Sequence, residues 1–223
     1  MTALGLDVIV AGMRPDPSGS QPAEPRLRAR VAAPGDLDAV TNTITLAFRQ
    51  DPVWGPAFVG PDGGDAVARE LWRAVLEGAF RYPWTWLTDG GEAVSVWIPP
   101  HGTELSPEQE ERFGELLVDR LGPAAGSVLE LLGRFEAAHP RTEPHYYLSL
   151  LGTHPDHRGR GAGMALLADN LAVIDAERMP AYLESTNPAN NHRYERLGFR
   201  AIGSFAVPRD GHVIATMWRP ARD

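Results

Sequence analysis

Apolar residues recur along the chain with two different periods, and the alternation between them predicts a mixed α/β protein. Leu27 to Val31 (LRARV) alternates apolar and basic positions, as a half-buried strand does. Asp36 is placed to cap a following helix in which Leu37, Val40, Ile44 and Phe48 share one face, and Asp51-Pro52 ends it. A second amphipathic helix is predicted from Asp65 to Tyr82, with Trp72, Leu76 and Phe80 on its stripe and Pro83 as its stop. Trp84 to Leu87 and Ala93 to Ile98 are β-prone runs around Asp89-Gly90-Gly91, which predicts a hairpin. Ser106-Pro107-Glu108-Gln109 is a capping box with proline at the first helical position. Phe113, Leu116, Leu117 and Leu121 follow at helical spacing up to Gly122-Pro123. Val128, Leu131, Leu132 and Phe135 mark another helix, closed by Pro140.

The last third is denser in strands. Tyr146 to Leu151 is a continuous apolar run, which predicts a central strand buried on both faces. A glycine-rich loop and an apolar helix over about 163–178 come next. A short strand over 181–183, a short helix over 188–197 and closing strands near 202–207 and 212–218 complete the chain. Strands and helices in this order predict a mixed central sheet flanked by helices. Residues 15–25 are rich in Pro and Ser, so residues 1–25 are expected to form a flexible arm and 26–223 a single domain. The helix pair over about 99–145 reads as an insertion between two strands.

Composition narrows the function. Of 223 residues 43% are apolar and 22% charged, a balance that supports a packed core. The absence of cysteine excludes disulfides and thiolate metal sites. The apolar start lacks a basic region ahead of it and no run is long enough to span a bilayer, so a cytoplasmic location is expected. All 21 cationic residues are arginine, and the net charge is -8. That balance argues against nucleic acid or an anionic membrane as partner and mildly favours an amine-bearing one.

The strongest chemical signal is HPDHRGRGAG, His154 to Gly163. Gly159, Gly161 and Gly163 leave backbone N–H groups uncovered where a helix begins, which makes an anion site suited to a pyrophosphate. Arg158 and Arg160 add cationic charge. A P-loop needs Lys then Ser/Thr after its last glycine, and Met164-Ala165 stand there instead. A G-x-G-x-x-G fingerprint fails too, with Met164 or Leu166 in its third slot. Arg158-x-x-Gly161-x-Gly163 fits the pyrophosphate loop of acyl-CoA transferases. By itself the segment also suits a structural turn.

With its neighbours the segment resembles the GCN5-related N-acetyltransferase (GNAT) superfamily. LSLLGTHPDHRGRGAGMALL is similar to that family's strand–loop–helix motif for acetyl-CoA, and LESTNPANNHRYERLGF, Leu183 to Phe199, to its second motif. The match is sharp over Leu148 to Phe199. HPDHRGRGAG, YLEST and YERLGF, with the two-helix connection, most resemble the puromycin N-acetyltransferase-like group. The resemblance implies an acetyl-CoA co-substrate held by backbone groups of Leu151, Gly152 and Thr153 and by the loop Arg158, Gly159, Arg160, Gly161, Ala162 and Gly163. It implies that Asn190 contacts the pantetheine arm and that Tyr194 is the general acid for the departing thiolate. Asn190 and Tyr194 are four apart, so they share a helix face. Many relatives carry a carboxylate on the strand before the loop, but Tyr146 to Leu151 has none. Glu184 is the candidate base, acting through water, and an ordinary structural carboxylate is the equal alternative.

His154 and His157 lack a third ligand, so no metal is expected. His139, His145 and Trp54, Trp72, Trp84 and Trp97 are candidates for the acceptor pocket or, for most of them, the core. The expected function is transfer of acetyl from acetyl-CoA to a primary amine of a small molecule by direct attack. The alternatives are a protein or peptide N-acetyltransferase and a non-catalytic acyl-CoA-binding regulatory module. Homodimers are common among the relatives, so a homodimer is one expected assembly.

Overall fold

A computed structural model of the chain describes residues 28–60 and 62–222. The expected arm over residues 1–25, and Leu27 of the first strand, lie outside them. The elements run β1 (Ala29–Val31), α1 (Leu37–Phe48), α2 (Trp54–Ala57), α3 (Asp65–Ala79), β2 (Thr85–Thr88), β3 (Ala93–Ile98), α4 (Pro107–Leu121) and α5 (Ala125–Ala138). Then come β4 (Tyr146–Thr153), α6 (Ala162–Ala176), β5 (Ala181–Ser185), α7 (Asn191–Arg196), β6 (Arg200–Ala206) and β7 (Val213–Arg219). The strands form one seven-stranded sheet in the order β1-β2-β3-β4-β5-β7-β6. All neighbours are antiparallel except β4 and β5.

Local signals account for most element ends. Gly91 takes φ 72° in the β2–β3 turn, where its N–H donates to the Thr88 carbonyl at 2.9 Å. Ser106 forms the capping box of α4: its hydroxyl accepts from Gln109 N–H at 3.3 Å, and the Gln109 side chain accepts from Ser106 N–H at 3.0 Å. Asp36 departs from expectation. It caps no helix with its side chain; its carboxylate accepts from Ala33 N–H at 2.7 Å and pairs with Arg30 across a 3₁₀ turn. Those bonds hold it down at about 2. The second helix stops at Ala79, three residues before the predicted Tyr82, in a tight turn where Arg81 donates to the Gly78 carbonyl.

Two apolar layers sandwich the sheet. On one face Val40, Ile44, Leu71, Leu76, Leu117 and Val128 bring α1, α3, α4 and α5 onto β2–β4. On the other, Leu167, Leu171 and Ile174 of α6 pack against Trp97, Leu148 and Leu183. The helix pair α4–α5 is fastened at both ends. Arg120 of α4 grips Glu70 of α3 at 2.6 and 2.9 Å, and Arg134 of α5 donates to the Ala206 carbonyl of β6 at 2.5 Å. Among the described residues no helix is long and apolar enough to cross a membrane.

Candidate active site

The site starts from a fault in the sheet. Opposite β3, Leu148 pairs with Trp97 and Leu150 with Val96, so Ser149 is an extra residue in β4. Tyr146 and Leu148 consequently face α6, whereas Leu150 faces α1. On its other edge β4 pairs with β5 only at Tyr146 and Tyr147, and beyond them the two parallel strands part. The backbone edge of Ser149, Leu150, Leu151, Gly152 and Thr153 that faces β5 is therefore free of strand partners. This corrects the reading of β4 as buried on both faces. Alternate residues (Tyr147, Ser149, Leu151 and Thr153) are only half-buried, because the apolar run lines a gap as well as a core.

The glycine loop sits at the end of this edge. A 3₁₀ turn over Pro155–His157 leads to Gly159 and Gly161, both left-handed with φ 79° and 78°, and α6 begins at Ala162. Space above Gly159 and Gly161 is open, so an anion can reach the N–H groups at the start of α6. Gly163 lies against β4, where an added Cβ would stand 2.5 Å from Thr153 Oγ1. Gly152 lies against α1, where an added Cβ would stand 2.9 Å from Ile44 Cδ1 and 3.0 Å from Ala47 Cβ. Arg158 turns back to α1, donating to the Ala47 carbonyl at 2.7 Å and to Gln50 at 3.0 Å, while Arg160 is exposed.

Asn187 opens the next turn as its cap, its side chain accepting from Ala189 N–H at 3.1 Å, with Pro188 following. Gly198, at φ 96°, ends the segment. Buried Arg219 of β7 then holds it: Nε donates to the Leu197 carbonyl at 2.9 Å, and both terminal nitrogens reach Asp175 of α6 at 2.6 Å. Asn190 and Tyr194 both border a cavity of about 830 Å³. Burial foremost, with Asp51 adding to it, pushes Tyr194 up to about 12, so the phenol keeps its proton at neutral pH.

That cavity opens between the parting strands and the α4–α5 pair. Trp54, Phe58, Trp72 and Phe135 make its aromatic wall, and Trp54 stacks on Phe135 at 5.4 Å. Of the aromatic candidates, Trp54, Trp72, His139 and His145 border it. Trp97 is instead fully buried, donating Nε1 to Asn170 at 3.0 Å, and Trp84 packs on Tyr146. Asp51, expected only to end α1, accepts from Val53 and Trp54 N–H at 2.9 Å and from the Thr186 hydroxyl at 2.7 Å.

Glu184 enters the cavity from β5 with its side chain only 2% exposed. Burial raises it to about 8, against the pull of the Tyr182 and Tyr147 phenols. Its Oε1 has no hydrogen-bond partner, and His139 Nδ1 is 3.9 Å away. Burial, His145 and Arg141 push His139 down to about 4, so it is neutral. His145 Nδ1 lies 2.7 Å from the Glu143 carbonyl, which only accepts, so that nitrogen carries a proton. His139 Nε2 lies 3.1 Å from His145 Nε2, so one hydrogen bond joins the two rings.

Sequence reasoning missed Glu104. It lies in the connection before α4, yet its carboxyl accepts from the hydroxyl of Ser149, the extra residue of β4. A carboxyl from 45 positions away is thus brought against the strand. Burial raises this carboxyl above its ordinary range, and the charge of Glu136 adds to the effect. Among the described residues no three His, Asp or Glu side chains gather as a metal-binding group.

Comparison with known proteins agrees with this architecture. Residues 126–201 match the family model described as an acetyltransferase (GNAT) domain. Mycothiol acetyltransferase of Acidothermus cellulolyticus is 32% identical over 111 residues, which are 48% of this chain and 32% of that enzyme, so the chain spans about a third of its relative's length. Among solved structures, a Corynebacterium glutamicum protein described as histone acetyltransferase HPA2 and related acetyltransferase superposes with a TM-score of 0.65 at 25% identity, covering 89% of this chain and 98% of that one. A Drosophila melanogaster polyamine N-acetyltransferase superposes with a TM-score of 0.57 at 18% identity, covering 87% and 99%. The chain therefore has the fold of the acetyltransferases it superposes on, and its residues 126–201 match the GNAT domain model.

Proposed function

We propose that the protein is an acetyl-CoA-dependent N-acetyltransferase that acetylates a primary amine of a small molecule by direct attack. The observation that carries this reading is a single cavity bordered by a proton-bearing phenol, Tyr194, and a buried carboxyl, Glu184, beside the parted edge of β4. The open amides at Gly159 and Gly161 and the unpaired edge of Leu151, Gly152 and Thr153 suit the pyrophosphate and the amide-bearing arm of the co-substrate. Asn190 borders the cavity where that arm would end. The polyamine and mycothiol acetyltransferases among the similar proteins support a small acceptor, as does the roof made by α4 and α5. The same two-helix connection supports the puromycin N-acetyltransferase-like grouping.

When bound, acetyl-CoA supplies the activated acyl thioester. The protein's own groups move the protons. Tyr194 O–H donates to the departing sulfur, and Glu184, once ionised, takes a proton from the amine. A covalent acyl-cysteine is excluded by composition. Thiol release from acetyl-CoA across nucleoside amines, aminoglycosides, polyamines, arylamines and peptides tests the reading, and the protein adds no thiol background. Release with a small amine is the expected result; release with peptides alone overturns the small-molecule acceptor.

Two results are expected of variants. Gly161→Leu puts a side chain at φ 78° into the open space over the loop, and acetyl-CoA affinity should fall by about tenfold or more. Full affinity in the folded variant would refute the pyrophosphate loop. Glu184 accepts a proton only when ionised, so kcat/KM should rise through about pH 8. The amine's own titration is common to wild type and Glu184→Gln, so the difference between their profiles reports this carboxyl. The raised value also means that the folded protein holds a proton which the unfolded chain releases between 4.5 and about 8. Stability therefore falls as pH rises across that window, and Glu184→Gln should flatten the fall.

A further inference from the structure

An amine that arrives as its ammonium must shed two protons from nitrogen to become an amide, one before attack and one after. Glu184 is a single acceptor, so the proposed reaction calls for a second place on the amine side to put a proton. The parted strands hold one. β4 and β5 pair last at Tyr147 and Tyr182; two residues beyond those partners come Ser149 on β4 and Glu184 on β5, and both border the cavity. Ser149 is the extra residue of β4, and its hydroxyl donates to the Glu104 carboxyl. Glu184 is almost fully buried, with Oε1 free of any hydrogen-bond partner.

Glu104 is fixed by more than its own bond. Arg81 donates to the Thr103 carbonyl at 2.6 Å, and Thr103 N–H donates to the Tyr82 hydroxyl at 3.1 Å. Gly78 of α3 backs onto Glu104 so closely that an added Cβ would stand 2.2 Å from its carbonyl oxygen. Two residues on, Ser106 N–H is held by the capping box. Earlier in the same connection His101 takes φ 64°, a left-handed backbone uncommon outside glycine. The connection is thus anchored on both sides of one carboxyl, which it sets against the one residue that β4 has in excess.

We propose that Ser149 and Glu104 form a second proton station for the acceptor: Ser149 touches the incoming ammonium, and Glu104 holds the proton shed before attack. The inference rests on the reading of the protein as an N-acetyltransferase. R–NH3+ gives a proton to Ser149 Oγ while the Ser149 proton passes to the Glu104 carboxylate, which leaves R–NH2 with its lone pair. That lone pair forms the N–C bond to the acetyl carbon, the C–S bond breaks with its electrons on sulfur, and Tyr194 O–H protonates the sulfur. The Glu184 carboxylate takes the second proton from nitrogen. Of the two protons, one then replaces that of Tyr194 and the other leaves to solvent. Glu136 of α5, Glu184 of β5 and Tyr147 of β4 are the titratable groups facing Glu104. None is a cation, and burial also raises Glu104, so both stations are empty on the alkaline side.

Thiol release from acetyl-CoA by the full chain tests this with two amines of one shape, 2-phenylethylamine and 2,2-difluoro-2-phenylethylamine. At about pH 9 the solution lies above Glu184, at about 8, and below an ordinary alkylamine, at roughly 10. The first amine then arrives as ammonium with two protons to shed, whereas its fluorines make the second arrive neutral with one. Glu104→Gln and Ser149→Ala should each cut kcat/KM for 2-phenylethylamine at least tenfold more than for the difluoro amine. Ser149→Thr keeps the hydroxyl and should retain most of the wild-type value. A structural role lowers both amines by one factor, and that result keeps the transferase and overturns the station. A selective loss in Glu104→Gln that Ser149→Ala does not share overturns it too. No release from either amine by the wild type overturns the station, and silence across the wider amine panel overturns the transferase as well.

Discussion

Tyr194→Phe should lower kcat by roughly a hundredfold or more while leaving acetyl-CoA affinity nearly unchanged. The substitution removes one oxygen and retains the ring that packs on Phe199 at 6.3 Å, so the helix end and its cavity wall should persist. On the proposed reading, what is lost is the proton that a phenol raised to about 12 would give to the leaving thiolate. Such a group is a weak acid at rest, and it donates only when a sulfur with developing negative charge lies beside it. Steady-state kinetics with a thiol-release assay, alongside a binding titration of acetyl-CoA, separate the two quantities. An unchanged kcat removes Tyr194 from the acid role; a large rise in Kd with normal kcat makes it a binding residue instead.

Arg219→Ala should be the most destabilising single change, costing about 3 kcal/mol. The guanidinium is 2% exposed, and it ties together three elements: its own strand β7, Asp175 on α6, and the Leu197 carbonyl at the end of α7. Its removal leaves the carbonyl and the carboxylate without their charged donor and opens a void. For a chain of this length the melting temperature should drop by roughly 6 to 12 °C. Arg219→Lys should recover only part, because an ammonium cannot fork to both carboxylate oxygens while reaching a carbonyl on its side. Thermal unfolding of the two variants measures this, and a melting point within a degree of wild type for Arg219→Ala refutes the clamp.

The parts of this fold that were legible beforehand are those whose cause lies within four residues. Ser106 and Gln109 cap α4 through bonds three positions apart, Asn187-Pro188 opens its turn, and Gly198 closes the helix. Gly159 and Gly161 take the left-handed backbone that their residue type permits. What escaped were partnerships across the chain. Glu104 meets Ser149 only because β4 carries an extra residue, and nothing in the run YYLSLL marks which position bulges. His139 and His145 join through a connection whose path the local pattern does not specify. Arg219 at the end of β7 reads as an exposed terminal residue until β7 is known to lie between β5 and β6. The strand Tyr146 to Leu151 misled for a different reason. An apolar wall facing a cavity has the same composition as one facing a core.

The roof over the cavity has an evolutionary consequence. Glu104, Glu136, His139 and His145 all come from one uninterrupted stretch between β3 and β4, whereas the glycine loop, Asn190 and Tyr194 come from the chain after it. The stretch is bolted to α3 and to β6 by arginines of its own. On the proposed reading, much of the acceptor wall and the hold on the acyl donor are therefore written in separate passages of the gene, with Trp54, Trp72 and Glu184 of the wall lying outside the first. On that reading, drift or recombination confined to the first would reshape the acceptor wall while sparing the glycine loop and Tyr194, and a laboratory library aimed at new acceptors would start there.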